Sequence, residues 1–141
     1  MKSETAEKEI QRKYLQLQLL KQEFNALIEE KNLIDNKVTE IATTINALEQ
    51  LSAVKKGDEI WSSLGSLSFV KSDITDTDNV LVGVGAGVVL TKKREQAAEM
   101  LKERIKELDD ADKRIVSEIN RFGGQIEKSE KEFQKLAEKN V

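Results

Sequence analysis

The chain has 141 residues, 35% of them charged and only 4% aromatic, with a formal net charge of −3. That length is at most one domain, and the composition suits long solvated helices better than a large compact core. Acids and bases are mixed with no basic face, which argues against nucleic acid as a partner. Cysteine and histidine are both absent. That leaves no disulfide framework, no thiolate metal site, no imidazole general base and no imidazole metal ligand.

The N-terminus, Met1 to Ile10, is polar and lacks the hydrophobic stretch of a signal peptide. Nowhere does an apolar run approach ~18 residues, so no helix is expected to span a membrane, and the expected compartment is the cytoplasm. Ser3, with Glu4 and Glu7 behind it, reads as a helix start. Heptads then run through Ile10, Leu17, Phe24, Lys31, Val38 and Ile45 at a, and Leu20, Leu27, Ile34, Ile41 and Leu48 at d. Heptads sustained this long mark a coiled-coil seam. The spacing predicts a first helix over 4–54, stopped at Lys55-Lys56-Gly57 by cations and a glycine.

The insert over 58–91 repeats itself at an offset of twenty residues. Ile60 to Val70 lies over Val80 to Leu90, with Gly65 over Gly85. Each half reads as strand, glycine-bearing turn and strand, hence two β-hairpins. Asp76-Thr77-Asp78-Asn79 is the polar turn between them. Such small sheets cannot bury their apolar faces alone and leave unpaired edges. Strands of other subunits closing a barrel would cover them. The residues expected to serve that oligomerisation are Ile60, Leu67, Phe69, Val80, Val82, Val84 and Val88. Gly83, Gly85 and Gly87 do not have phosphate-loop spacing and lead into a strand, so they read as structural. Asp76, Asp78 and Asn79 fail the calcium-loop pattern at Val80. No metal or cofactor is expected.

Thr91 is the expected N-cap of a second helix over 92–138. Lys92-Lys93-Arg94 reads as a solvated basic cluster, with recruitment of an acidic partner as the other reading. The second seam has Ala98, Ile105, Asp112, Ile119, Ile126 and Phe133 at a, and Leu101, Leu108, Ile115, Phe122 and Leu136 at d. Folded back antiparallel, the helices would pair residues whose numbers add to about 143, which sets the polar a-residues Lys31 and Asp112 opposite each other. The alternative is two independent defects. Gly123-Gly124 inside the second helix reads either as a joint, or as a point of close helix approach or simple tolerance in an exposed stretch.

The insert resembles the prefoldin family, and Asp76 to Val88 resembles its second hairpin. Glu59 to Val70 is similar more loosely, with Ser63-Leu64-Gly65-Ser66-Leu67 where the family usually has proline-leucine-glycine-alanine-glycine. Two hairpins are the mark of the alpha class, and the compact, histidine-free chain fits the archaeal type. The resemblance implies a mainly α fold: an antiparallel coiled coil joined by two hairpins that enter an intersubunit β-barrel, all one prefoldin-like domain over 1–141. It implies an ATP-independent chaperone, not an enzyme, built as a hexamer of two alpha with four beta subunits. Coiled-coil tips would hold unfolded clients and pass them to a group II chaperonin. Tyr14, Leu15 and Leu19 are apolar residues outside the seam at one end. With Phe133 and Leu136 they form the expected client site. A structural scaffold without client holding is the competing reading.

Overall fold

The computed structural model describes the backbone of residues 2–139 and the side chains of 4–139, so Ser3 as a helix cap lies outside the described side chains. Helix α1 is Lys2–Gln50, followed by a single 3₁₀ turn, Leu51–Ala53. Four strands come next: β1 Glu59–Gly65, β2 Ser68–Asp73, β3 Asn79–Gly85 and β4 Val88–Lys93. Helix α2, Arg94–Lys139, completes the chain. The order is the expected one.

Residues 1–37 with 108–141 form one compact unit, and residues 38–107 form a second. In the first unit α1 and α2 run antiparallel along the seam. Leu17, Ile115 and Ser129 are buried in it, and the other a and d residues of this unit are half-buried. Lys31 meets Asp112 at 3.1 Å across the helices, with both side chains partly covered. The expected pair therefore forms. Lys31 also reaches Asp35 one turn along at 3.0 Å, so one ammonium serves two carboxylates. These bonds, Asp35 first and Asp112 second, raise the lysine above its ordinary pKa.

The register differs by a few residues from the one read off that pair. Phe24 lies against Gly123 at 3.7 Å, and the rings of Tyr14 and Phe133 are 6.2 Å apart. The numbers of each pair add to about 147, because a faces d in an antiparallel coil and the long Lys31 side chain reaches diagonally. Gly123 is thus a place where α1 and α2 come close. The helix runs unbroken through both glycines, so no joint is formed there.

In the second unit Ile41, Ile45 and Leu48 of α1 are all buried. Leu48, Ala97 and Ala98 make its core, with Val80, Val82 and Leu101 packed against it. Ala97 has no exposed surface at all. Two methyl-sized residues in the first turn of α2 leave room for β3 to lay Val80 and Val82 onto the helix pair.

The element ends differ from expectation for local reasons. Helix α1 stops at Gln50. The Ser52 hydroxyl donates to the Glu49 carbonyl, and Val54 N–H donates to Leu51 to close a turn. Gly57 adopts φ of +95°, which only glycine takes cheaply, and exchanges backbone bonds with Ile74 through Asp58. Thr91 does not cap α2, because Thr91, Lys92 and Lys93 belong to β4. The helix begins at Arg94, whose N–H donates to the Asp78 carbonyl and whose guanidinium donates to Thr77. Arg94 therefore ties the helix start to the inter-hairpin turn and is not simply a solvated cation.

That turn is organised by Asp76. Its carboxylate accepts from the N–H groups of Asp78 and Asn79 and from the Asn79 side-chain amide. The Asn79 amide first, then the two backbone donors, hold its pKa below the ordinary carboxylate range. A depressed folded pKa stabilises above the unfolded value and is lost as pH falls through the folded one. Asp76→Ala should therefore be less stable than the parent near neutrality. The difference should close as acid protonates Asp76, as followed by urea unfolding across pH. A gap independent of pH would remove this role.

Gly124 is exposed with open space where a Cβ would sit. Gly124→Ala should raise unfolding stability by about 0.5–1 kcal/mol, since nothing opposes the gain in helix propensity. A destabilised variant would mean that the glycine is needed for something other than tolerance. Single replacements of Lys31 or Asp112 by leucine should each cost stability. The double variant should lose less than their sum in the same unfolding assay.

Candidate functional site

Two apolar surfaces are candidates, one in each unit. The first lies on the helices that carry the chain ends. Tyr14, Leu15 and Leu19 are exposed by 51%, 62% and 63%, outside the seam. Their heptad positions explain this: e, f and c point away from the partner helix. The structure brings Tyr14, Leu15 and Phe133 together around a shallow depression of about 380 Å³, with Ile10 and Gln11 completing it. Ile10 is an addition to the predicted set. It is a half-buried seam residue at a, with Lys13 at the neighbouring d position. Leu19 lies one turn beyond Leu15. Leu136 is half-buried and lines a different depression with Glu9, Lys13 and Lys135. The five predicted residues therefore do not share one surface.

The seam beneath this surface includes a buried polar residue. Ser129 occupies a d position and is 6% exposed, and its hydroxyl has no hydrogen-bond partner. A buried hydroxyl without a partner costs about 1–3 kcal/mol relative to a satisfied one. Close by, Lys13 donates to Glu132 at 2.6 Å, and Lys21 meets Glu130 at 3.3 Å. Lys13 holds the Glu132 carboxyl below its ordinary pKa. Ion pairs therefore flank a buried layer that contains a hydroxyl.

The second surface is the pair of hairpins. β1 pairs antiparallel with β2, and β3 with β4, as two separate two-stranded sheets. The registers match at an offset of twenty residues. Trp61 faces Lys71 as Leu81 faces Thr91, and each first strand carries a bulge just before its turn. Each hairpin therefore has two faces. Ile60, Ser62, Val70 and Ser72 share one face of the first hairpin; Val80, Val82, Leu90 and Lys92 share the corresponding face of the second. Trp61, Ser63, Phe69 and Lys71 form the opposite face of the first; Leu81, Gly83, Val89 and Thr91 form that of the second.

The predicted assembly residues divide between these faces. Val80 and Val82 pack on the chain's own helices. Ile60 and Val84 are exposed at the edge of burial, and Phe69 and Val88 are half or more exposed. Leu67 is 92% exposed in the first turn, at φ of +60°. A leucine in that left-handed region costs about 1–2 kcal/mol. Strain of this kind collects at functional positions. Strand alternation alone did not single out Trp61, Leu81 and Val89, yet they are exposed by 67%, 73% and 55%. The repeat did contain the signal. Position 61 is equivalent to 81 and 69 to 89, and one face of one hairpin was bound to be covered first. Among the described residues no cluster of acidic side chains could hold a metal ion, and no helix is long and apolar enough to cross a membrane.

Two long helices joined by two short hairpins define a class of coiled-coil proteins, and comparison with known proteins identifies it. A sequence model described as "Prefoldin subunit" matches residues 20–139. The chain belongs to the prefoldin family. The curated prefoldin subunit alpha of Methanococcus vannielii is 28% identical over 129 residues, covering 92% of this chain and 86% of that one. That of Archaeoglobus fulgidus is 28% identical over 132 residues, covering 92% and 94%. Among solved structures, the fold is similar to filamentous PFD from Methanocaldococcus jannaschii. The TM-score is 0.72 at 20% identity, covering 79% of this chain and 93% of that one. It is also similar to the prefoldin beta subunit from Thermococcus strain KS-1, with a TM-score of 0.57 at 13% identity and 90% of each chain covered.

The split between the two faces makes a prediction. Val82→Asp would press a carboxylate against Leu48 and Ala98 and should cost about 3 kcal/mol of folding stability. Leu81→Asp, on the exposed face, should cost less than about 0.5 kcal/mol. Thermal unfolding of both variants checks this. Equal losses would mean that both faces are packed.

Proposed function

We infer that this chain is the alpha-type subunit of an ATP-independent chaperone that holds unfolded proteins. Membership of the prefoldin family supports that reading. The observation that carries it is the exposed apolar cluster of Tyr14, Leu15 and Leu19 beside Phe133. Unfolded chains of different sequence have only apolar segments in common. A holdase therefore needs exposed apolar surface and no shaped polar pocket. The whole chain acts as one prefoldin-like domain in the cytoplasm, without catalysis. Its hairpins join beta-type subunits, two alpha with four beta, in an intersubunit barrel. Clients held by the terminal helix segments are handed to a group II chaperonin.

A scaffold that only organises other proteins is the second reading, favoured by the exposed hairpin faces. One experiment separates the two. Leu15→Ser with Leu19→Ser should leave helicity and assembly unchanged, since both side chains lie off the seam. It should remove most of the suppression of aggregation of a denatured test protein, with no response to added ATP. Truncation of residues 1–20 together with 126–141 should abolish suppression while the assembled complex persists by native mass spectrometry. An assembled, truncated complex that still suppresses aggregation fully would move the client site away from the terminal helix segments, whereas an intact complex that suppresses none would leave the scaffold reading standing.

A further inference from the structure

Helix α1 carries a second apolar line on the side turned away from α2. Leu19, Ala26 and Leu33 occupy the c position of three successive heptads, and Leu15 stands at f one turn before Leu19. All four are exposed, Leu33 the most of them at 70%. The line therefore reaches past the terminal cluster and takes in a leucine that the seam does not explain. From Leu15 to Leu33 it runs about 27 Å, roughly five turns. Apolar residues that keep a heptad period match another helix coiling alongside. An extended chain, whose side chains alternate between two faces, has no repeat that fits them. The charges on the two sides of α1 also differ. Between residues 13 and 34 the cations are Lys13, Lys21 and Lys31, at d, e and a. Each is paired on the seam side: Lys13 with Glu132, Lys21 with Glu130, and Lys31 with Asp112 and Asp35. The acids of the same stretch are Glu23, Glu29 and Glu30, at g, f and g, in or beside the apolar line. Among the described residues none of the three has an ion-pair partner.

We propose that this side of α1 seats client segments folded as amphipathic helices with a basic flank. The client's apolar stripe lies along Leu15, Leu19, Ala26 and Leu33, and its lysines or arginines answer Glu23, Glu29 and Glu30. Ala26, midway along, leaves room for a large side chain of the occupant. Three unpaired carboxylates repel an acidic segment and attract a basic one, so the face sorts segments by charge as well as by apolar content. A short helix released from an unfolded chain is marginal in water, because most helical stability comes from packing an apolar face. Laid on this line, such a segment gains that packing before its own protein supplies it. The inference rests on the chaperone reading and names the client class that the face favours: basic amphipathic helices.

The probe is a fluorescent peptide of about 18 residues, the length of the line, with leucines at alternating three- and four-residue spacing and lysines beside them. One control peptide replaces every lysine by glutamate. A second has the lysine peptide's composition in scrambled order. By fluorescence anisotropy the full chain should bind the lysine peptide about tenfold tighter than either control, and the bound peptide should gain helical circular dichroism. Leu33→Ser should weaken binding about fivefold. Glu29→Lys with Glu30→Lys should reverse the preference toward the glutamate peptide. Both variants should keep the parent's helicity, since these side chains lie off the seam. Equal binding of the scrambled peptide, or binding indifferent to Leu33→Ser, overturns the proposal. So does a peptide that binds without becoming helical. These results leave the chaperone reading intact, because that reading is tested on aggregation. An assembled complex that binds the lysine peptide but suppresses no aggregation overturns the assignment of this face to clients, together with the chaperone reading.

Discussion

The contact of Val80 and Val82 with Leu48, Ala97 and Ala98 decides what the rest of the second unit must do. A two-stranded sheet has two faces and two open edges, and on its own it is marginal in water. The helix pair covers one face of the second hairpin, and it does so because Ala97 and Ala98 add so little volume at the start of α2. No residue of the first hairpin enters that core among the described residues. Backbone bonds from Gly57, Asp58 and Ile74 hold it at its base, and the exposed Trp61, Leu64 and Phe69 remain uncovered. The chain thus anchors one hairpin and leaves the other with its apolar surface unspent.

The seam obeys a different economy. Most a and d positions are aliphatic, and stability there comes from regular burial. Polar residues interrupt it, Lys31, Asp112 and Ser129 among them. The first two answer each other, with Asp35 as a second acceptor. A cation shared between two carboxylates remains charged and half-solvated, which avoids most of the desolvation cost of a buried pair. Ser129 has no such answer. Its layer depends on Leu17 and on the flanking ion pairs Lys13–Glu132 and Lys21–Glu130. This polar layer lies in the same stretch as the off-seam apolar residues Tyr14, Leu15 and Leu19.

Periodicity made most of the fold legible. Heptads gave both helices and the Lys31–Asp112 contact, and the twenty-residue repeat gave both hairpins with matching registers. Errors fell where a local hydrogen bond outweighs pattern. The Ser52 hydroxyl and the Leu51–Val54 turn end α1 before the basic residues are reached. Arg94, bound to Thr77 and Asp78, moves the start of α2 past Thr91. Face assignment within the hairpins was the larger gap. Alternation says which residues share a face, but which face is covered depends on where the helices lie, and two small residues at positions 97 and 98 settle that. Without them in view, Val80 and Val82 look as available as Leu81 and Val89.

The distribution of exposed apolar surface is informative because the chain is otherwise so polar. In a sequence that is 35% charged, scattered leucines would be unremarkable. Here most of the large exposed side chains concentrate in two places, residues 14–19 and the hairpins, with Leu33 and Met100 outside them. The two concentrations differ in geometry. Side chains on the helices stand on a convex surface outside the seam. Those on the hairpins stand on flat sheet faces with matched registers at a fixed repeat spacing. A surface that must accept any unfolded chain gains nothing from such matching, whereas a surface that must find one partner depends on it. The same physical need, covering apolar area, therefore has two solutions in one short chain: permissive at the terminal helices and specific at the sheets.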